Sequence, residues 1–180
     1  MSTILPCSPK PETITVVIDT REQLPLTLSP LKIVSETLQT GDYSIRGLES
    51  VIAIERKSIS DLLRCIGTDR VRFAKEVQRL LAYPVRALVI ESSWQELEAG
   101  GWRSRVMPQA VIGSLLGWSA AGLPIVMAGS HEQAGRYVSR LLYIAARRRW
   151  RESRSLLGYT PHTDSKLKIQ TADSEMTLGQ

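Results

Sequence analysis

The chain has 180 residues, enough for one domain with a full core and short for two. Hydrophobic residues make up 43% of it, which excludes a disordered or fibrous chain, and no apolar run approaches the roughly 20 residues that span a bilayer. Lys and Arg outnumber Asp and Glu by 23 to 18, and the formal charge of +5 suits an acidic partner such as nucleic acid.

Residues 1–12 carry Pro6, Pro9 and Pro11 and read as a flexible leader, without the basic and apolar regions of a signal peptide. "ITVVID", 14–19, is a β-branched run ending in an acid and predicts a buried strand. "DYSIRGLESVIAIERK", 42–57, has two β-prone arms around a short loop and predicts an antiparallel hairpin. A helix is expected from "SISDLLRCIG" onward, broken at Gly67 and continuing through "RVRFAKEVQRLLA". "VRALVIES" predicts a second buried strand ending in an acid, Glu91, and "PIVMA" a third after the helix "PQAVIGSLLGWSAAG". In that helix Pro108 suits the first turn and Gly122 the stop. The last helix, "HEQAGRYVSRLLYIAARRR", places Ala134, Tyr137, Val138, Leu141, Leu142 and Ala145 on one face and Arg136 and Arg140 on another. Residues 155–180 are small and polar and read as a flexible tail, leaving 13–154 as the folded domain. Strands alternating with helices argue for an α/β fold, a mixed sheet flanked by helices.

The hairpin's second arm ends in Glu55, Arg56 and Lys57. Alternation along a strand sends Glu55 and Lys57 to one face and Arg56 to the other. A carboxylate beside an ammonium at a strand end fits metal-dependent phosphodiester hydrolysis. Carboxylates hold a hard cation such as Mg²⁺ or Mn²⁺, and a lysine positions water or steadies developing charge. Asp42 opens the first arm and could face Glu55, while Asp19 and Glu22 follow the first strand. Four acids in one pocket would repel unless a cation or the lysine neutralised them.

The set "IDTRE", "LQTGDYSI", "IAIERKSISDLL" and "RFAKEVQRLLAYPVRALVIE", in this order, resembles the nuclease domain of the XPF-type structure-specific endonucleases. That family is marked by Gly-Asp, then Glu-Arg-Lys, three residues and Asp, here Gly41, Asp42, Glu55, Arg56, Lys57 and Asp61. The resemblance spans roughly 14–150 and implies the restriction-endonuclease-like fold. It implies Asp42, Glu55 and Asp19 as metal ligands, Lys57 as base or water-positioning group, and Glu22 as completing the acidic pocket. Arg56 and Asp61 match the motif as supporting residues. Arg70 sits where the family has Gly-Arg, with Asp69 in place of the glycine. The implied activity is DNA endonuclease cleavage in repair or recombination. The alternative is a catalytically silent DNA-binding or scaffold subunit of the same fold.

Blander roles exist for single residues. Asp61, three after Ser58, fits a helix cap, and Glu91 and His131 fit a strand end and a helix start. Trp94, Trp102, Trp118 and Trp150 suit a core or interface better than a base-stacking platform. Arg147, Arg148, Arg149, Arg151 and Arg154 exceed what a helix end needs and are expected to contact DNA phosphates. XPF-type nuclease domains pair with themselves or a partner subunit, and the last helix, with Trp118 and Tyr143 nearby, is the expected face. Cys7 and Cys65 form neither a metal spacing nor a disulfide framework. An intracellular, cytoplasmic setting follows, at the nucleoid if the source is bacterial.

Overall fold

The computed structural model describes residues 7–157. Among them are the strands β1 Thr15–Asp19, β2 Lys32–Glu36, β3 Tyr43–Ile45, β4 Ile52–Lys57, β5 Val85–Ile90 and β6 Ile125–Met127. The helices are α1 Ile59–Ile66, α2 Arg70–Leu81, α3 Trp94–Ala99, α4 Pro108–Ala120 and α5 His131–Leu156. The strands form one mixed sheet in the order β2-β1-β3-β4-β5-β6. β3 is antiparallel to both its neighbours, and the other pairs are parallel. The expected α/β architecture is present.

Because side chains alternate along each strand, the sheet buries two different sets. Val16, Ile18, Tyr43, Ile54, Ala87 and Val89 pack with Ala134, Val138, Leu142 and Ala145 of α5. Ala53, Leu88 and Ile90 pack on the opposite face with Leu62 and Ile66 of α1, Phe73 and Val77 of α2, and Val111 and Leu115 of α4. Tyr43 and Phe73 are fully buried, each worth about 1.5–3 kcal/mol over an exposed ring. The sheet is therefore a partition, with α5 below and four helices above.

Two elements escaped the hydrophobic pattern. β2 is an edge strand exposed along most of its length, so "KIVSE" carries no burial signature. α3 is a six-residue helix made by the Ser93–Glu96 capping box rather than by apolar periodicity. The long helix continues to Leu156, so the arginine run is helical and residues 155 and 156, expected in the tail, belong to α5. Pro11 lines one surface cavity with Tyr143 of α5, and Pro9 lines another with Trp150. Residues 1–6 and 158–180 lie outside the described residues.

The pairing face expected on α5 is corrected. Its apolar stripe is spent on the chain's own sheet, while Tyr137 stays 44% exposed. Trp118 is on α4, across the sheet, edge-on to Phe73 at 5.1 Å between ring centres.

α5 also approaches the loop before β2 closely. A Cβ on Gly135 would lie 2.6 Å from the Thr27 carbonyl oxygen, inside any tolerable contact. Alanine is the better helix former by about 1 kcal/mol. Gly135→Ala should nevertheless destabilise the protein by about 1–3 kcal/mol, because backbone must move to make room. Thermal melting measures it, and a raised midpoint would show that the loop retreats freely.

Candidate active site

Gly41 sets the site up. Its φ of +80° is a left-handed conformation that glycine adopts without strain. A side chain there would meet the Ile54 carbonyl oxygen at 3.0 Å. This close passage lets the Asp42 N–H donate to the Ile54 carbonyl (2.8 Å), while the Asp42 carbonyl accepts from the Asp19 N–H (2.9 Å). The Asp42 carboxylate is thereby held across from β4, and its Oδ2 accepts the Arg56 backbone N–H (2.7 Å).

On the face toward α1 and α2, Lys57 Nζ donates to Glu55 Oε1. Glu55 is 1% exposed, and its Oε2 is buried with no hydrogen-bond partner. Burial and the neighbouring Asp42 charge push the Glu55 carboxyl well above its ordinary range. Burial likewise pushes Asp42 up to about 6, against the opposing pull of Lys57. Burial alone would weaken the Lys57 ammonium, but the Glu55 and Asp42 carboxylates outweigh it and hold the lysine charged. Its Nζ also sits 5.3 Å above the centre of the Phe73 ring. Glu76 of α2 adds negative potential felt by Asp42, Glu55 and Lys57. The sequence reading passed over Glu76; its position one helical turn after the buried Phe73 was the available signal.

The opposite face of β4 carries a second, fully paired network. Arg56 donates through Nη2 to Glu22 Oε1 (2.8 Å), through Nε to Glu22 Oε2 (3.1 Å), and through Nη1 to Glu91 Oε1 (2.9 Å). His131 Nδ1 lies 2.6 Å from that same Glu91 oxygen, and the Tyr43 hydroxyl reaches Glu22 Oε2 at 3.5 Å. Glu22 is held by Arg56 beneath the sheet, yet its charge still reaches Asp42 and helps to raise it. The expectation of four converging acids is corrected.

Asp19 is corrected as well. It is buried, but its oxygens are taken by Arg21 Nε (2.6 Å), Arg21 Nη2 (3.0 Å) and the backbone N–H groups of Arg21 (2.8 Å) and Leu38 (2.7 Å). Burial works against its charge, yet these donors hold its carboxyl below the usual range. Among the described residues, no three His, Cys, Asp or Glu side chains gather as a metal-binding group. Arg70 opens α2 but lines a small cavity with Ala74, Gly117 and Trp118, turned toward α4 rather than the acids. Ser58 caps α1: its Oγ accepts the Asp61 N–H (3.2 Å) and its hydroxyl donates to the Asp61 carboxylate (2.7 Å), which also pairs with Arg64.

The arginine run occupies the far end of α5. Counting 1.5 Å per residue, Arg147 is about 24 Å along the helix from His131, so the run does not join the acids. Arg148 and Arg149 each pair with Glu152 at 2.9 Å, and Arg147 and Arg154 stack on Tyr143 and Trp150 at 5.7 and 4.7 Å.

The family model for the ERCC4 domain matches residues 18–141, the span from the end of β1 into the first half of α5 that carries both networks. The chain belongs to the ERCC4-domain family. Among solved structures the ERCC4 domain superposes on XPF from Aeropyrum pernix with a TM-score of 0.60 and 18% identity, covering 81% of this chain and 75% of that one. A second structure, XPF from Aeropyrum pernix in complex with DNA, gives 0.58 and 16%, covering 81% and 82%. At such identities these likenesses establish the fold. No curated protein matches the chain significantly. No helix among the described residues is long and apolar enough to cross a membrane.

The raised Asp42 carboxyl has a thermodynamic consequence. The folded protein keeps this proton up to about pH 6, whereas an unfolded aspartate releases it near 3.8. Stability contributed by the protonated form is complete below the lower value and is lost as pH rises through the upper one. Asp42→Asn should therefore stabilise the protein in EDTA at pH 8, by at most about 3 kcal/mol, with the advantage shrinking at pH 5. Melting curves at both pH values check it; a destabilised variant at pH 8 would show that Asp42 is not a strained anion.

Proposed function

We propose that the chain is a divalent-metal-dependent DNA endonuclease, structure-specific and serving repair or recombination. The supporting observation is the pairing of Asp42 with Glu55, whose buried second oxygen has no partner while Lys57 occupies the first. An uncompensated buried carboxylate oxygen is costly, and a cation is the partner that would offset it. Mg²⁺ takes one or two protein carboxylates and keeps waters and substrate phosphate in its remaining positions, so two acids fit it. When bound there, Mg²⁺ or Mn²⁺ would polarise the scissile phosphate and activate a water. The likeness to XPF from Aeropyrum pernix in complex with DNA favours DNA as substrate.

The rest belongs to the chain's own residues. Asp42 is aimed by the Arg56 N–H and Glu55 by its place in β4, so neither carboxylate needs to reorganise. Lys57 stays charged beside two carboxylates, which suits it to orient water and phosphate and to offset transition-state charge rather than accept a proton. Among the described residues no third ligand converges on the pair, which favours a second reading, a silent DNA-binding subunit.

Cleavage assays on duplex, flap, fork and four-way DNA separate the two readings. Mg²⁺-dependent cutting, lost in EDTA and in folded Asp42→Asn and Glu55→Gln, is expected; full activity in EDTA would sink the proposal. Lys57→Met should slow single-turnover cleavage by about 10²–10³-fold while Lys57→Arg restores part of it, with no lysine-dependent limb in the pH–rate profile. A limb that vanishes in Lys57→Arg would make the lysine the base.

The arginine run supplies sequence-independent affinity in this reading. Changing Arg147, Arg148, Arg149, Arg151 and Arg154 to glutamine should weaken DNA binding and flatten its salt dependence, since fewer counterions are released. An unchanged slope of log affinity against log salt would remove them from the interface.

A further inference from the structure

A groove of about 1000 Å³ opens between the start of α1 and the loop that joins α3 to α4. Its first residues, Ile59 and Ser60, lie two and three positions after Lys57, so it begins beside the acid pair. Its floor is apolar: Ile59, Leu63, Trp102 and Val106. The indole is fixed in place, since Trp102 Nε1–H donates to the Val106 carbonyl at 2.8 Å. Gly67 allows the loop to come this near, because a Cβ there would meet Val106 Cγ2 at 3.3 Å.

The rim is basic. Arg64, Arg103 and Arg105 line the groove, and no Asp or Glu does. Arg64 is paired with Asp61, while Arg103 and Arg105 are exposed and have no carboxylate partner among the described residues. An apolar floor with an aromatic face under a cationic rim matches an unpaired nucleic-acid strand, whose bases offer π-faces and whose phosphates carry charge. A duplex hides its bases in the stack and would leave the floor unused. An apolar peptide could fill the floor but would not call for the two unpaired guanidinium groups of Arg103 and Arg105 at its rim.

We propose that this groove receives the unpaired nucleotides of a substrate strand next to the scissile phosphate. The bases pack on Trp102, Leu63 and Val106, and the phosphates meet Arg103, Arg105 and Arg64. This rests on the nuclease reading and deepens it, since it makes a single-stranded segment beside the cut part of the substrate.

The test is equilibrium binding in EDTA, where no cutting is expected, using a labelled short oligo(dT), an abasic oligomer of equal length and a blunt duplex. Arg103→Gln/Arg105→Gln, at two exposed positions where folding is not at stake, should weaken oligo(dT) binding about 10-fold and leave the duplex within about 2-fold. Trp102→Leu should weaken oligo(dT) by a similar factor and leave the abasic strand unchanged, whereas Trp102→Phe should keep most of the affinity. Circular dichroism verifies the Trp102 variants, and the arginine pair tests the groove independently if Trp102→Leu unfolds. Equal losses on single strand and duplex, or no loss on either, would overturn the groove assignment, as would equal losses on oligo(dT) and abasic DNA with Trp102→Leu. If those failures occur while the wild type cuts DNA with Mg²⁺, the groove alone is refuted. A wild type that binds neither DNA form refutes both readings.

Discussion

Glu55 is a carboxylate that the sheet does not let out. It stands in a central strand between β3 and β5, with Leu62 and Phe73 closing the layer above that face of the sheet. A buried charge is tolerated only with partners, and the structure supplies half of what Glu55 needs. Lys57 takes one oxygen, Asp42 is held near enough to add repulsion, and the other oxygen is left open. The helices, hairpin and glycine passage around it all serve to keep that unbalanced group in place.

The same strand end solves the opposite problem on its other face. Arg56 points beneath the sheet, where Glu22, Glu91, His131 and Tyr43 draw in segments from four separate parts of the chain. The Arg56 side chain is 8% exposed and that of Glu22 4%, so their pairing offsets a large desolvation cost, and removing either partner would leave a buried charge uncompensated. It also anchors the backbone N–H that aims Asp42. One face of β4 is thus electrostatically settled and holds the other, unsettled face in register, which is how a preorganised site is supported.

The basic surface divides in a comparable way. The α5 arginines lie a long helix away from the acids, many of them engaged with Glu152 or aromatic rings, whereas the arginines of the α3–α4 loop sit beside the start of α1. Under the proposed nuclease reading, distance from Lys57, rather than arginine density along the chain, separates general phosphate attraction from contact near the reaction.

Much of this was legible in sequence because it depends on neighbours in the chain. Alternation in "IAIERK" settles that Glu55 and Lys57 share a face and Arg56 does not, and the hairpin brings Asp42 to β4, since both follow from the two-residue strand period and a short loop. The Gly67 break, Pro108 and Gly122 acted locally as expected. β2 and α3 were invisible because one is an exposed edge and the other a capping device without a stripe. Where Asp19 and Glu22 point was decided only by tertiary structure. Arg21 and the Leu38 backbone captured the first, and Arg56 on the far face captured the second. A sequence shows which acids exist and roughly where the strands carry them. Which distant donors reach each acid, the Leu38 N–H across 19 residues, the Arg56 N–H across 14 and the Arg56 guanidinium across 34, is a matter of packing geometry that no local period encodes.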